Sequence, residues 1–168
     1  AIQSNQNDQH GGQSVPSFDY YMAPGVAKSF ARSYRENLAK ALELLAGSDV
    51  PAGYLLSEPL TMDNLPRYQE AERNVLRTFC PQDAVEKVQS FAAEKAQEET
   101  RQETYQAMEA FLHNLNLMNT RSGAQVAFSS VNYGTDTSPE GRLVITALLK
   151  ATQAGLGQGK TCIFPVQI

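Results

Sequence analysis

One stretch of the chain, Ala154-Gly-Leu-Gly-Gln-Gly159-Lys160-Thr161, has the residue types and nearly the spacing of a phosphate-binding loop, with Ala in the first position. Glycines let backbone amides close around a phosphate, and the lysine after them reaches its oxygens. That chemistry also needs a strand leading in and a helix opening at Gly-Lys-Thr, so that the amide dipoles point at the anion. Here the apolar pattern puts a helix before the glycines and a strand after them. The loop therefore reads as a flexible helix-to-strand turn. The other reactive groups are scattered. Cys80 and Cys162 have no CxxC spacing and read as free thiols in a reducing cytoplasm. His10 and His113 have no ligand spacing to a cysteine or a carboxylate, so solvated or capping roles are expected rather than a metal site. Spacing alone assigns no catalytic residue, cofactor-binding residue or metal ligand.

The elements that must position these groups follow from apolar periodicity. Residues 1–20 are polar, and Gly11-Gly12 suggests a helix end released into a loop. From Pro24, suited to a first turn, Val26, Phe30, Tyr34, Leu38, Leu42 and Leu45 recur at helical spacing as far as Gly47. An irregular connection over 47–64, with a short extended piece at Tyr54–Leu56, leads to a helix over Pro66–Phe79. Another helix begins at Gln82 and enters the Glu/Gln-rich stretch Glu94–Glu103, which reads as a solvated surface. A break near Glu99–Thr100 is expected there, one long helix being the alternative. Tyr105, Met108, Phe111, Leu112, Leu115 and Met118 form an apolar stripe ending before Gly123, which core packing explains. Residues 125–133 then read as a strand. Ser138-Pro139-Glu140 opens a helix with a hydroxyl cap, a proline and an acid, and Gly155 closes it. Cys162–Ile168 reads as a second strand, with Pro165 marking a bulge or a strand end. Strand, helix and strand over about forty residues is the spacing of a parallel crossover. The fold class is thus α/β: residues 1–122 mainly helical, residues 123–168 a parallel β-α-β unit.

Composition narrows the function classes. With 42% hydrophobic and 19% charged residues the chain is globular rather than disordered. A net charge of −4 without a Lys/Arg cluster argues against general nucleic-acid or anionic-membrane binding. No apolar run reaches the ~20 residues that span a bilayer. The chain opens on Ala1-Ile-Gln-Ser without Met and stops inside an apolar, strand-like run, so a single internal segment of a larger protein is expected.

Several stretches, in order, carry a family resemblance. They are Ser4-Asn-Gln-Asn-Asp-Gln-His-Gly-Gly-Gln13, Phe18-Asp-Tyr, Ala23-Pro24, Glu103-Thr-Tyr-Gln-Ala-Met-Glu-Ala110, His113-Asn-Leu-Asn116 and Gly123-Ala-Gln-Val126. Phe128-Ser-Ser-Val-Asn-Tyr-Gly-Thr-Asp-Thr-Ser-Pro-Glu-Gly-Arg142, Ala154-Gly-Leu-Gly157 and Ile163-Phe-Pro165 follow. Together they resemble the anaerobic, class III, glycyl-radical ribonucleoside-triphosphate reductases, with residues 47–100 matching loosely. The resemblance implies a parent enzyme with a ten-stranded α/β barrel that turns ribonucleoside triphosphates into deoxyribonucleotides. A radical held on a C-terminal glycine passes to a cysteine inside the barrel, and formate commonly serves as reductant.

Further implications concern partners and sites. The parent would be cytoplasmic and homodimeric, activated by an iron–sulfur/S-adenosylmethionine enzyme, regulated by dNTP and ATP effectors, and equipped with a C-terminal zinc site. This segment would lie between the first active-site cysteine and the radical-loop cysteine. Neither Cys80 nor Cys162 then receives a catalytic role, and the isolated segment is expected to be inactive. Strands 126–133 and 162–168 would be barrel staves. The helices at 24–46 and 104–119 would lie where the family pairs subunits and binds effector. Arg32 stands where relatives carry a basic residue contacting effector phosphate, a solvated helix charge being the alternative. Asn114 stands where some relatives have an acid. A reading from another class is a non-catalytic helical dimerisation or nucleotide-effector-binding module.

Overall fold

The computed structural model describes Ile2 and residues 11–46, 58–78, 80–117, 126 and 128–168. In chain order the elements are β1 (Gln13–Val15), α1 (Phe18–Ala46), α2 (Leu65–Leu76), α3 (Gln82–Leu117), β2 (Ser129–Val131), α4 (Pro139–Ala154) and β3 (Val166–Gln167). The class is α/β, mostly helical with a small parallel sheet. Two compact units emerge: Gly25–Gln102, and Ala1–Pro24 with Glu103–Ile168. The expected extended piece at Tyr54–Leu56, the turn residues Gly47 and Gly123, and Met118, Phe79 and His10 lie outside the described residues.

The unit Gly25–Gln102 is helical because three apolar stripes meet in it. Phe30, Tyr34, Leu38 and Leu42 come from α1, Tyr68 and Leu76 from α2, and Val85, Val88, Ala92 and Ala96 from α3. Asn64 prepares α2: its Oδ1 accepts the Thr61 N–H at 2.9 Å and its Nδ2 donates to Pro59 O at 2.7 Å. Pro66 lies in the first turn of α2, as the sequence suggests. One polar cluster inside the core is closely paired. The Tyr34 hydroxyl donates to buried Glu72 at 2.6 Å, and Gln89 Nε2 donates to the same carboxylate at 2.9 Å. Burial, with the Glu72 carboxyl beside it, pushes the Tyr34 phenol well above the ordinary tyrosine range.

The break expected near Glu99–Thr100 is absent, and α3 is a single helix of 36 residues. The physical reason is tertiary. Glu99 accepts hydrogen bonds from the Ser33 hydroxyl and from Asn37 Nδ2, the latter at 2.9 Å. Those bonds, led by the one from Ser33, hold the Glu99 carboxyl below its usual range against the desolvation that opposes them, and Lys40 and Lys95 add to the effect. Ala96 and Thr100 are buried as well, while Glu94, Lys95, Gln97, Glu98, Arg101, Gln102 and Glu103 are exposed, so the Glu/Gln-rich stretch is largely the solvated surface its composition suggests, with one face packed on the core.

In the unit Ala1–Pro24 with Glu103–Ile168, the strands form a parallel sheet in the order β1-β2-β3. The expected β-α-β unit is present: β2, α4 and β3, with Ser138 capping α4 through its side chain and Gly155 ending it. The sequence missed β1, whose short polar run Gln13–Val15 has no strand signature, and its pairing partner lies more than a hundred residues away. Both predicted strands are shorter than expected. For the last one the cause is visible: Ile163 and Phe164 give their N–H groups to Asn116 Oδ1 at 2.9 and 3.0 Å, and Pro165 has none to give, so pairing starts at Val166. Pro165 thus marks a strand end.

Helix α1 begins six residues before the predicted start and holds Pro24 in its interior. Its N-terminus is fastened by contacts that periodicity does not register. Phe18 N–H donates to Asn132 O at 2.7 Å, and the buried Phe18 ring stacks on Phe111 with centroids 5.3 Å apart. Pro24 is exposed and, lacking an N–H, gives up one bond of the helix ladder.

Candidate functional site

The strands of a parallel sheet all end at one edge, and open α/β sheets place ligands beside the loops leaving that edge. Here β1 leaves the edge into α1 and β2 leaves it into the loop 132–138. The two exits are tied together by Asp19, which is fully buried. Its carboxylate accepts the N–H groups of Gly134 and Asp136, each at 2.9 Å, and the Thr135 hydroxyl at 3.2 Å. Burial alone would raise the Asp19 pKa. The N–H groups of Asp136, Gly134 and Tyr20, with the Thr135 hydroxyl, outweigh it and hold the carboxyl below the ordinary aspartate value. Gly134 turns the loop at φ 101, a conformation that disfavours a side chain. Asp136 then accepts the Ser138 N–H at 2.8 Å, and Ser138 Oγ accepts the Gly141 N–H at 3.0 Å, which caps α4. Strand, loop and helix N-terminus is a phosphate-binding arrangement in other folds. In this one the loop amides already face an internal anion.

A second tie joins α3 to the approach to β3. Besides accepting from Ile163 and Phe164, Asn116 donates through Nδ2 to Phe164 O at 2.6 Å and to Leu112 O at 2.7 Å. The carboxamide therefore satisfies a short non-strand segment from both sides.

The sheet has two unlike faces. Ser129 and Val131 are buried on the face toward α4, where Gln167 Nε2 donates to Thr152 Oγ1 at 2.7 Å. On the other face Ser14, Ser130 and Val166 stand in register across the strands. Ser14 Oγ donates to Asn132 Oδ1 at 3.3 Å, and Phe128 meets Phe164 edge to face with centroids 5.2 Å apart. Phe128, Val166 and Ile168 are exposed.

The residues singled out by sequence are not gathered here. Arg32 and Asn114 are exposed on α1 and α3, and each has an interaction partner. Cys80 is buried and Cys162 half-buried, both as free thiols, and burial pushes the Cys162 thiol up. His113 is half-buried on α3. The 154–161 loop follows a helix and closes on itself, with Leu156 N–H donating to Lys160 O at 2.8 Å and Lys160 N–H to Gly157 O at 3.0 Å. Among the described residues no three His, Cys, Asp or Glu side chains group as metal ligands, and no helix is long and apolar enough to cross a membrane. Sequence reasoning missed Asp19, Asn116 and Asn132 as individual residues. Their one sequence signal is membership of the family-like stretches, since Asp19 and Gly134 are 115 positions apart.

A family model described as anaerobic ribonucleoside-triphosphate reductase matches residues 1–168. No curated protein matches the chain.

Proposed function

The chain belongs to the anaerobic ribonucleoside-triphosphate reductase family, and from that premise we propose that it is a segment of a longer, cytoplasmic, homodimeric reductase. The parent makes deoxyribonucleotides from ribonucleoside triphosphates by glycyl and thiyl radical chemistry, under dNTP and ATP control. The segment supplies scaffold: β2 and β3 as staves of the α/β barrel, α1 and the C-terminal part of α3 as subunit-interface helices, and Arg32 as a contact to effector phosphate. The radical glycine, the thiyl cysteine and the zinc ligands belong to other parts of the parent, and the activating enzyme acts there. The carrying observation is the family match over residues 1–168. The ties from Asp19 and Asn116 support it, because they join stretches that the resemblance is built on.

The test is an anoxic assay of the full-length protein with its activating enzyme, following deoxyribonucleotide formation from each ribonucleoside triphosphate. Reduction by the full-length protein and none by the 168-residue chain is the expected result. Turnover by the 168-residue chain alone would overturn the division of labour. A second reading, a helical dimerisation or effector-binding module without catalysis, is favoured by the separate helical core of Gly25–Gln102. It predicts dNTP binding by a full-length protein that reduces nothing.

A further inference from the structure

We infer that Asn116 is a positioning residue that couples α3 to β3, so that a dNTP effector held against the C-terminal part of α3 sets the placement of Ile163 and Phe164. The inference rests on the reductase reading above, which supplies the effector, and adds the residue that passes its signal on. Three observations carry it. First, the Asn116 carboxamide is saturated. Its Oδ1 accepts the Ile163 and Phe164 N–H groups at 2.9 and 3.0 Å, and its Nδ2 donates to Phe164 O and Leu112 O at 2.6 and 2.7 Å. An amide with both lone pairs and both N–H groups engaged is held in orientation, so movement of the helix end is passed to the segment. Second, among the described residues no other hydrogen bond reaches residues 161–165. Their placement therefore follows Asn116, and the sheet depends on it. β3 begins at Val166, Ile168 N–H donates to Val131 O at 3.0 Å, and the Phe164 ring meets Phe128 just before β2. Third, the end of α3 is built to move as one piece and has two unlike sides. From Glu103 to Leu117 it contains neither proline nor glycine, the residues at which helices give way. Asn114 is exposed and Asn116 half-buried, and residues two apart stand about 200° from each other around a helix. One side is open to a ligand while the other grips the approach to β3. Small shifts and rotations of such a helix are a recurrent form of allosteric switching.

The experiment uses the full-length reductase, activated anoxically, and compares kcat/KM for each ribonucleoside triphosphate with and without each dNTP. Allosteric coupling between two sites is typically worth a factor of about 5–150. In Asn116→Ala the change in substrate preference on adding dNTP should shrink by about fivefold or more, with dNTP affinity and effector-free turnover kept. Asn116→Asp keeps the acceptor for the Ile163 and Phe164 amides but loses the Nδ2 donor, so it should lose part of the response. It decides the matter if Asn116→Ala does not fold. A third measurement needs no substitution: in the wild type, hydrogen exchange of the Ile163 and Phe164 amides should slow when dNTP is added. A full effector response in a folded variant overturns the inference, as does turnover that falls equally with and without dNTP, or exchange that dNTP leaves unchanged. All three leave the reductase reading intact. A wild-type enzyme that reduces no ribonucleotide, or whose substrate choice ignores dNTP, defeats the reading beneath the inference, and the inference with it.

Discussion

Asp19 shows how one side chain can hold two distant stretches of chain. It is buried, carries three partners in the loop Gly134–Asp136, and has its pKa lowered by them. A lowered carboxylate contributes stability that is fully present above its unfolded value and is lost as pH falls through the folded one. Asp19→Asn replaces an acceptor with a donor facing N–H groups and should cost about 2 kcal/mol, a typical value for hydrogen bonds to a charged group. Urea unfolding at neutral pH should show that cost, and the gap between wild type and variant should close as pH drops below about 4. A gap that is constant from pH 7 to 3 would mean the carboxylate charge is not what matters. Arg32 poses a different question because it is exposed on α1. Charge-assisted phosphate contacts contribute roughly 1.5–3 kcal/mol. Arg32→Ala in the full-length enzyme should then weaken dNTP effector binding about tenfold or more and leave the unfolding midpoint in place. Equal effector affinity in a calorimetric titration would remove its phosphate role.

At the scale of elements, the end of α4 and the glycine loop after it carry the clearest test. Gly155 has φ 73, and a Cβ there would meet Lys160 O at 2.5 Å. Both effects oppose a side chain, so Gly155→Ala should destabilise the chain by more than about 1 kcal/mol, read from its denaturation midpoint. At Gly157 a Cβ would meet nothing within 4 Å, so the strain comes from φ 83 alone and this should be the milder site. The same loop should be indifferent to nucleotide. Its Leu156 and Lys160 amides are used within the turn, and a helix precedes rather than follows it. Lys160→Ala should leave a weak ATP affinity unchanged; tight Mg-ATP binding abolished by the substitution would reveal a functioning phosphate loop. Helix α3 makes the complementary point, since a Glu/Gln-rich run stays helical without a break where Glu99 is bound by Ser33 and Asn37.

For the whole molecule, the open sheet governs behaviour in solution. Among the described residues β1 and β3 each pair on one side only, and Phe128, Ile163, Val166 and Ile168 are exposed. Unpaired parallel edges beside apolar side chains favour association. The 168-residue chain should therefore self-associate, with its sedimentation coefficient rising with concentration, and the resemblance adds α1 to the contact. A monomer at every concentration would show that the sheet is adequately protected as it stands.

What the sequence determined by itself was local or recurrent. Helical spacing from Phe30 to Leu42, the Ser138-Pro139-Glu140 start and the Gly155 stop are short-range chemistry, written within a few residues. The family was legible because many stretches recur in order, although no single one carries it. Tertiary structure decided what depends on partners far along the chain. β1 exists because Gln13–Val15 finds Ser129–Val131. The early start of α1 depends on Asn132 and Phe111, and the late start of β3 on Asn116 taking the preceding amides. The sites follow the same division. Asp19, Asn116 and Asn132 have ordinary sequence surroundings, and their roles arise only when folding brings buried amides and carbonyls within hydrogen-bond distance of them, where each must be satisfied.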